Sequence, residues 1–312
     1  MNYLIPSENG LALATVAIGS KYYDIWKTRA YPSWERYCRK YGFGLFVLTD
    51  FTPQAELSYR KKPTWEKFLL MDQIRKTNKD ITRVCYLDTD FLISPLAPNI
   101  FLEHTDPTLI GLVSEIYNLP YPDQLVRRRI AFHRHYYYSK NYPLDSSLFM
   151  TLEDYGSYHN TAPLKDSTCA GFYVGSIEHH ADLFKGWFYK YKGTIDSVTG
   201  GGDNFHFNYE TQLYGNIQLL DYKFQALWTH EMAWKYPFLY HYGKDNANLI
   251  RECIEASLLE NYFLHFAGSW HESKMWEEVP VLTMPESLER FEQFSEYCKL
   301  PVTGNSAGIV KP

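Results

Sequence analysis

Two aspartates one residue apart, Asp88 and Asp90, stand in the stretch VCYLDTDFLIS that runs from Val84 to Ser94. On a turn, two carboxylates at this spacing can reach one divalent ion, and hard oxygen ligands favour Mg²⁺ or Mn²⁺. Such an ion would neutralise a diphosphate. A surface turn rich in aspartate is the plain alternative. The metal reading gains from position, because the pair directly follows the apolar run Arg83 to Leu87, and ligands of open α/β sheets bind outside the carboxyl ends of strands.

The elements that would hold this pair follow a clear rhythm. Leu11 to Ile18 (LALATVAI) is a short apolar run ending at Gly19-Ser20, which predicts a buried strand leading into a turn. Asp24 to Tyr41 carries Ile25, Trp26, Ala30, Trp34, Tyr37 and Cys38 at helical spacing, with Gly42 placed to stop the helix. Gly44 to Thr49 predicts a second strand, Thr64 to Thr77 a second helix, and Arg83 to Leu87 a third strand. Strands alternating with helical crossovers predict a parallel α/β sheet.

Composition bounds the classes. With 312 residues, 45% hydrophobic and 21% charged, the chain is long and apolar enough for one or two packed cores. A net charge of -5 argues against nucleic acid as the main partner. No apolar run approaches the roughly 20 residues that span a bilayer, and Met1 to Asn9 is short and polar for a secretory signal, so the expected compartment is the cytoplasm. Five widely spread cysteines, without a pair at metal-site spacing, argue against a disulfide or zinc framework. No Asn-x-Ser/Thr acceptor occurs. LPVTG at Leu300 to Gly304 has the form of a sortase signal, but no apolar retention segment follows it. Aromatics make up 17% of the chain, with 27 tyrosines and 8 tryptophans; such rings suit sugar faces, though most are expected in the core.

The stretch TWEKFLLMDQIRKTNKDITRVCYLDTDFLISPLAPNIF (Thr64 to Phe101) resembles the central block of glycogenin-like glycosyltransferases, family 8, and of the neighbouring retaining family 34. CAGFYVGS (Cys169 to Ser176) resembles the family's Asn-Ala-Gly block, and FLHFAGSWHESKMW (Phe263 to Trp276) its His-Phe-x-Gly block. Together these blocks cover about a fifth of the chain. The resemblance implies a GT-A type fold, a Rossmann-like mixed sheet flanked by helices. It implies a single domain over 1–312, with a nucleotide-binding half over about 1–110, an acceptor-side half over about 111–290 and a tail at 300–312.

The resemblance also implies roles. Asp88, Asp90 and His265 would bind Mn²⁺ (or Mg²⁺), and imidazole as third ligand suits manganese; a core histidine is the alternative for His265. Lys67 would lie near the donor diphosphate or sugar, a solvated helix face being its alternative. Gly268 would let the backbone approach the phosphates. Ala170 and Gly171 would line the sugar, while Thr15, Ala17 and Gly19 would carry the nucleoside, with Tyr22 or Tyr23 stacking on the base. The family's phosphate lysine is replaced by His271, with Lys274 three residues further on. Cys169 stands where the family has asparagine, and the Asp-Gln block is replaced by NYETQLYGN, where Glu210 and Gln212 are the nearest candidates to bond the transferred sugar or flank its reacting carbon. RRRIAFHRHYYY (Arg127 to Tyr138) has no family counterpart; it reads as an acceptor-binding flap or a solvated amphipathic helix. TGGGDNF (Thr199 to Phe205) reads as a flexible lid.

The activity implied is transfer of a sugar from a nucleotide-sugar donor, a UDP-sugar first among them, to a glycan or other hydroxyl acceptor, with retention. Two other classes compete. Haloacid-dehalogenase-like phosphatases also place Asp-x-Asp after a strand, the first aspartate as nucleophile. That motif normally opens its domain, whereas two strand-helix units precede it here. A non-catalytic sugar-binding module would keep the aromatics and need no nucleotide or metal.

Overall fold

A computed structural model of the chain describes residues 1–52, 62–138, 150–191 and 202–299. The expected tail, with its LPVTG, and the first part of the expected lid, Thr199–Gly201, lie outside the described residues.

The fold is α/β, built on a seven-stranded mixed sheet flanked by helices. Its strands are β1 (Asn2–Ile5), β2 (Leu11–Val16), β3 (Gly44–Leu48), β4 (Arg83–Leu87), β6 (Ile110–Leu112), β7 (Phe172–Ser176) and β8 (Ile217–Leu219), in the order β1-β3-β2-β4-β7-β6-β8. β3, β2 and β4 are parallel neighbours, as the strand-helix rhythm predicts. β1 and β7 run antiparallel to these strands, and β6, antiparallel to β7, returns to their direction, which makes the complete sheet mixed rather than parallel. A smaller sheet holds β5 (Phe91–Ile93), β10 (Phe263–His265) and β9 (Ala226–Leu227), with β10 antiparallel to β5 and parallel to β9.

Both faces of the large sheet are covered, so its central strands are apolar throughout. Leu13, Leu45, Val47, Cys85, Leu87 and Val174 pack toward Trp26, Trp34 and Tyr37. The alternate residues Ala12, Ala14, Phe46, Val84, Tyr86 and Tyr173 pack toward Phe68, Met71, Ile74 and Phe184. This is the period-2 alternation of strand side chains. The first predicted helix forms as Ser20–Ile25, a π-helical turn Trp26–Ala30 and Tyr31–Tyr41. Gly42 ends it in the left-handed region at φ 67, its N–H bonded to the Cys38 carbonyl. The second opens as a 3-10 turn, Pro63–Phe68, and continues as Leu70–Thr77. Proline at its start lacks the donor that a first turn leaves idle.

All five cysteines are unpaired. Among the described residues no helix is long and apolar enough to cross a membrane.

Candidate metal centre

Topology explains why distant residues meet. β2 and β4 are parallel and adjacent, so the residues after Val16 and after Leu87 emerge at the same edge of the sheet. β7 runs antiparallel to β4, with Phe172 opposite Leu87, which brings the residues before β7 to that edge as well. The Asp88 N–H donates to the Gly171 carbonyl at 2.8 Å. In the smaller sheet His265 faces Phe91 across the β10–β5 ladder, and the Phe266 N–H donates to the Asp90 carbonyl at 2.9 Å. The His265 ring stacks on Phe91 with centroids 4.0 Å apart.

As a result Asp88, Asp90 and His265 each offer a ligand atom, all within 4.8 Å of one another. Asp90 Oδ1 lies 3.3 Å from His265 Nε2 and is buried without a hydrogen bond among the described residues. Two ligand atoms bound at right angles, each about 2.1 Å from one ion, sit about 3 Å apart, so this spacing and the idle oxygen fit a shared divalent cation. The oxygen-rich set with one imidazole is a donor set suited to Mn²⁺ or Mg²⁺.

Gly171 keeps the space open. A Cβ there would come within 2.5 Å of His265 Cε1 and 2.9 Å of Asp88 Oδ2. Gly268, three residues after His265, adopts φ 103 in a turn that favours glycine.

Lys67 is not on a solvated face: it is 1% exposed. Its Nζ donates to the Ala170 carbonyl at 2.8 Å and lies 3.4 Å from Asp88 Oδ1 and 3.2 Å from Asp203 Oδ2. Tyr86 donates its hydroxyl to Asp88 Oδ1. Burial opposes charge on Lys67, yet Asp88 and Asp203 outweigh it and hold the ammonium above its ordinary value. Burial pushes the Asp88 carboxyl up, with Lys67 opposing and Asp90 adding to the rise. At Asp90 burial also acts upward, but His265 prevails and holds this carboxyl below its usual range. Burial would strip the His265 proton; Asp90 outweighs it and lifts the imidazole well above its ordinary value.

Thr15 and Ala17 are buried at the carboxyl end of β2, and Thr15 Oγ1 lacks a hydrogen bond among the described residues. Gly19 follows at φ 99, and Tyr22 is 64% exposed beside it. His271 and Lys274 are exposed on the segment after Gly268. Lys274, Lys21 and Asp90 all act electrostatically on Glu277, whose carboxyl is pushed up by burial first and by Asp90, against the two lysines.

Glu210 and Gln212 are not brought to this cluster. Glu210 accepts from Lys190 Nζ at 2.7 Å and from the Tyr191 hydroxyl. Gln212 clamps the 165–166 backbone, accepting from Lys165 N–H at 2.6 Å and donating to the Asp166 carbonyl at 3.0 Å. Both sit on the helix Asp203–Tyr214, and Glu210 is two turns, about 10 Å, beyond the end that reaches Lys67. The residues that do arrive are Asp203 and Asn204, the latter accepting from the Ala170 N–H at 2.7 Å. An acid and an amide stand next to each other at 203–204. The glycine run before it concealed a helix start, with Gly202 at φ 76. Tyr86 was also missed; two residues before Asp88 on an alternating strand, it shares the same side. Cys169 contributes a thiol 3.8 Å from His265 Nδ1.

No family model matches the chain, and no curated protein matches it. Among solved structures, a glycosyltransferase involved in the glycosylation of the major capsid of PBCV-1 is similar at 10% identity over 92% of this chain and 98% of its own, with a TM-score of 0.47. The apo structure of the bifunctional glycosyltransferase WbbM is similar at 11% identity over 94% of this chain and 52% of its own, with a TM-score of 0.49. The chain thus spans about half the length of WbbM. Likeness at this level defines neither a family nor an activity.

Proposed function

We propose that the chain is a metal-dependent glycosyltransferase of the GT-A type, which moves a sugar from a nucleotide-sugar donor, a UDP-sugar first among candidates, to a glycan or other hydroxyl acceptor. One observation carries the reading: Asp88 and Asp90 from one turn and His265 from a distant segment meet beside Gly171, whose missing side chain lets them approach, with the buried Lys67 beside them.

Asp88, Asp90 and His265 would hold Mn²⁺ or Mg²⁺, which when bound supplies positive charge against a donor diphosphate. The chain's own residues do the rest. Lys67 fixes Asp88 and the Ala170 carbonyl in one arrangement, so the ligand carboxylate is preorganised. Lys274, exposed on the segment after Gly268, would add cationic contact to a phosphate leaving group. Thr15, with its idle hydroxyl, and the backbone at Ala17 and Gly19 would receive the nucleoside at the same sheet edge. Asp203 and Asn204 take the place proposed for Glu210 and Gln212 beside the transferred sugar. Retention of configuration is the outcome the resemblance implies, and NMR of the first-formed anomer reads it directly.

The test is Mn²⁺-dependent thermal stabilisation and slow hydrolysis across UDP- and GDP-sugars, since a ligand selective for the native state raises its melting temperature. At least one donor is expected to stabilise the protein only with metal present. No shift with any donor removes the reading. Hydrolysis of phosphomonoesters without sugar transfer favours the phosphatase alternative, and glycan binding insensitive to EDTA and to nucleotide favours the binding module.

A further inference from the structure

Away from the metal cluster, a row of aromatic rings runs inward from an exposed helix face. The helix Asp123–His133 continues into a π-helical turn, Arg134–Tyr138. Phe132 and Tyr136 are 60% and 68% exposed and stack with centroids 5.7 Å apart. Tyr136 meets Tyr137 at 4.8 Å, and Tyr137 stacks on His133 at 5.9 Å. His133 in turn stacks on Tyr240 at 4.8 Å, Tyr240 meets Tyr138 at 5.6 Å, and Tyr138 meets the edge of His271 at 5.6 Å. Ring by ring the contacts lead from the exposed Phe132 and Tyr136, past the half-buried Tyr137 and the buried Tyr240, to the half-buried Tyr138 and the segment that carries Gly268, His271 and Lys274.

This row is held rigidly to that segment. Arg134, in the middle of it, turns inward, is buried, and pairs with the buried Glu272, the residue next to His271. Its guanidinium also lies 5.1 Å from the Trp270 ring. The rings therefore keep a fixed position relative to the strand end that supplies His265. Two exposed, mutually stacked rings with half-buried tyrosines beside them form an aromatic face open to a ligand. Tyrosine and histidine supply flat apolar faces with polar edges, and a pyranose supplies the match, with C–H faces to stack and hydroxyls for the edges.

We propose that this row is an extended subsite for a chain of sugar units. The acceptor is then an oligosaccharide, its reacting end near His271 and its further units lying outward over Tyr138, Tyr137 and Tyr136. The proposal rests on the glycosyl-transfer reading of the metal cluster, which gives the row its direction.

The test titrates the full chain, in EDTA, with maltohexaose, cellohexaose, chitohexaose and xylohexaose, and with the corresponding monosaccharides, by calorimetry. At least one hexasaccharide is expected to bind, at least about tenfold tighter than its monosaccharide, because several rings stack at once. The double variant F132A/Y136A should weaken that binding about tenfold or more. Both side chains are exposed, so its melting temperature should stay unchanged. The proposal is overturned if none of the four hexasaccharides binds, or if the double variant binds as tightly as wild type. It is likewise overturned if the variant changes only self-association in sedimentation, which assigns the row to a second copy of the chain. Hexasaccharide binding with no Mn²⁺-dependent donor binding strikes the transfer reading and leaves the row as a glycan site.

Discussion

Asp90 Oδ1 and His265 Nε2 lie 3.3 Å apart because β5 and β10 pair directly beyond the motif that carries the two aspartates. Neither residue is placed there by its own local sequence. If they share an ion with Asp88, Asp90→Asn and His265→Ala should each weaken Mn²⁺ binding, measured by calorimetry with UDP present, by about 100-fold or more. A histidine serving only the core would behave differently. Its removal would lower stability by about 1–3 kcal/mol through lost hydrogen bonding and packing, while the Mn²⁺ affinity of the folded protein stayed the same.

Gly171 gives a sharper test, since its backbone needs no unusual φ and only space is at issue. In Gly171→Ala the new methyl meets His265 and Asp88 at distances real Cβ atoms do not adopt, and both of those contacts belong to the candidate ligands. The variant should fold with a loss of about 1–3 kcal/mol from overpacking. It should also lose most of its metal-dependent stabilisation by donor in a thermal shift. Wild-type stabilisation in Gly171→Ala would move the ion elsewhere.

The first third of the chain was readable because its strands are buried on both faces and bounded by turns. Arg83–Leu87 forms over the predicted residues, and Gly42 stops its helix as read. β1 is not legible because its apolar stretch, Tyr3 to Ile5, is short, lies at the sheet edge and is half exposed. Lys67 read equally as a surface lysine, since a lone charge in a helix says nothing of what three separate segments bring to it. Asp203 and Asn204 were hidden by the glycines before them, and their partners lie more than thirty residues away at Lys67 and Ala170. Period and turn chemistry fix elements, but which side chains converge depends on strand order, and the order β4-β7-β6-β8 is not written locally.

The helix Asp203–Tyr214 allows a direct contrast between its two ends. Glu210→Gln loses an ion pair with the half-exposed Lys190, for which a stability loss of about 1 kcal/mol or less is expected, with donor turnover nearly intact. Asp203→Asn, which touches Lys67, should cut turnover at least about tenfold while folding normally. Steady-state rates with the donor found in the screen decide this, and the opposite ranking would return the catalytic role to Glu210.

Acid sensitivity should come from histidines away from the site. Burial, with Arg83, holds His104 down to about 4. Burial holds His180 down to about 4, and burial with Arg127 and Arg134 holds His230 down to about 3. Their unfolded-state values lie near 6.5. Above that pH neither state is protonated and stability is full; below it the unfolded chain binds protons that the native state refuses. Stability should therefore fall as pH drops from about 6.5 toward 4, by at most about 1.4 kcal/mol per pH unit for each histidine. Urea midpoints between pH 7.5 and 5 measure it, and His230→Gln should flatten the slope. A midpoint that does not fall over this range contradicts the buried neutral state of these rings.

Lys67 and Asp88 offer the last test, because a buried ammonium is tolerated only with its partners. Lys67→Met leaves Asp88 and Asp203 facing each other without a cation and should cost about 3 kcal/mol in metal-free urea unfolding. Asp88→Asn keeps Lys67 paired with Asp203 and bonded to the Ala170 carbonyl, so about 1–2 kcal/mol is expected. In the double variant Asp203 alone remains charged, and its loss should fall short of the sum of the singles by at least about 1 kcal/mol. Saturating Mn²⁺ should narrow the deficit of Lys67→Met, since a cation at Asp88 replaces part of the missing charge, but should not rescue Asp88→Asn. Simple additivity would separate Lys67 from Asp88 energetically, and Lys67 would then belong to the packing of the sheet rather than to the preorganisation of a metal ligand.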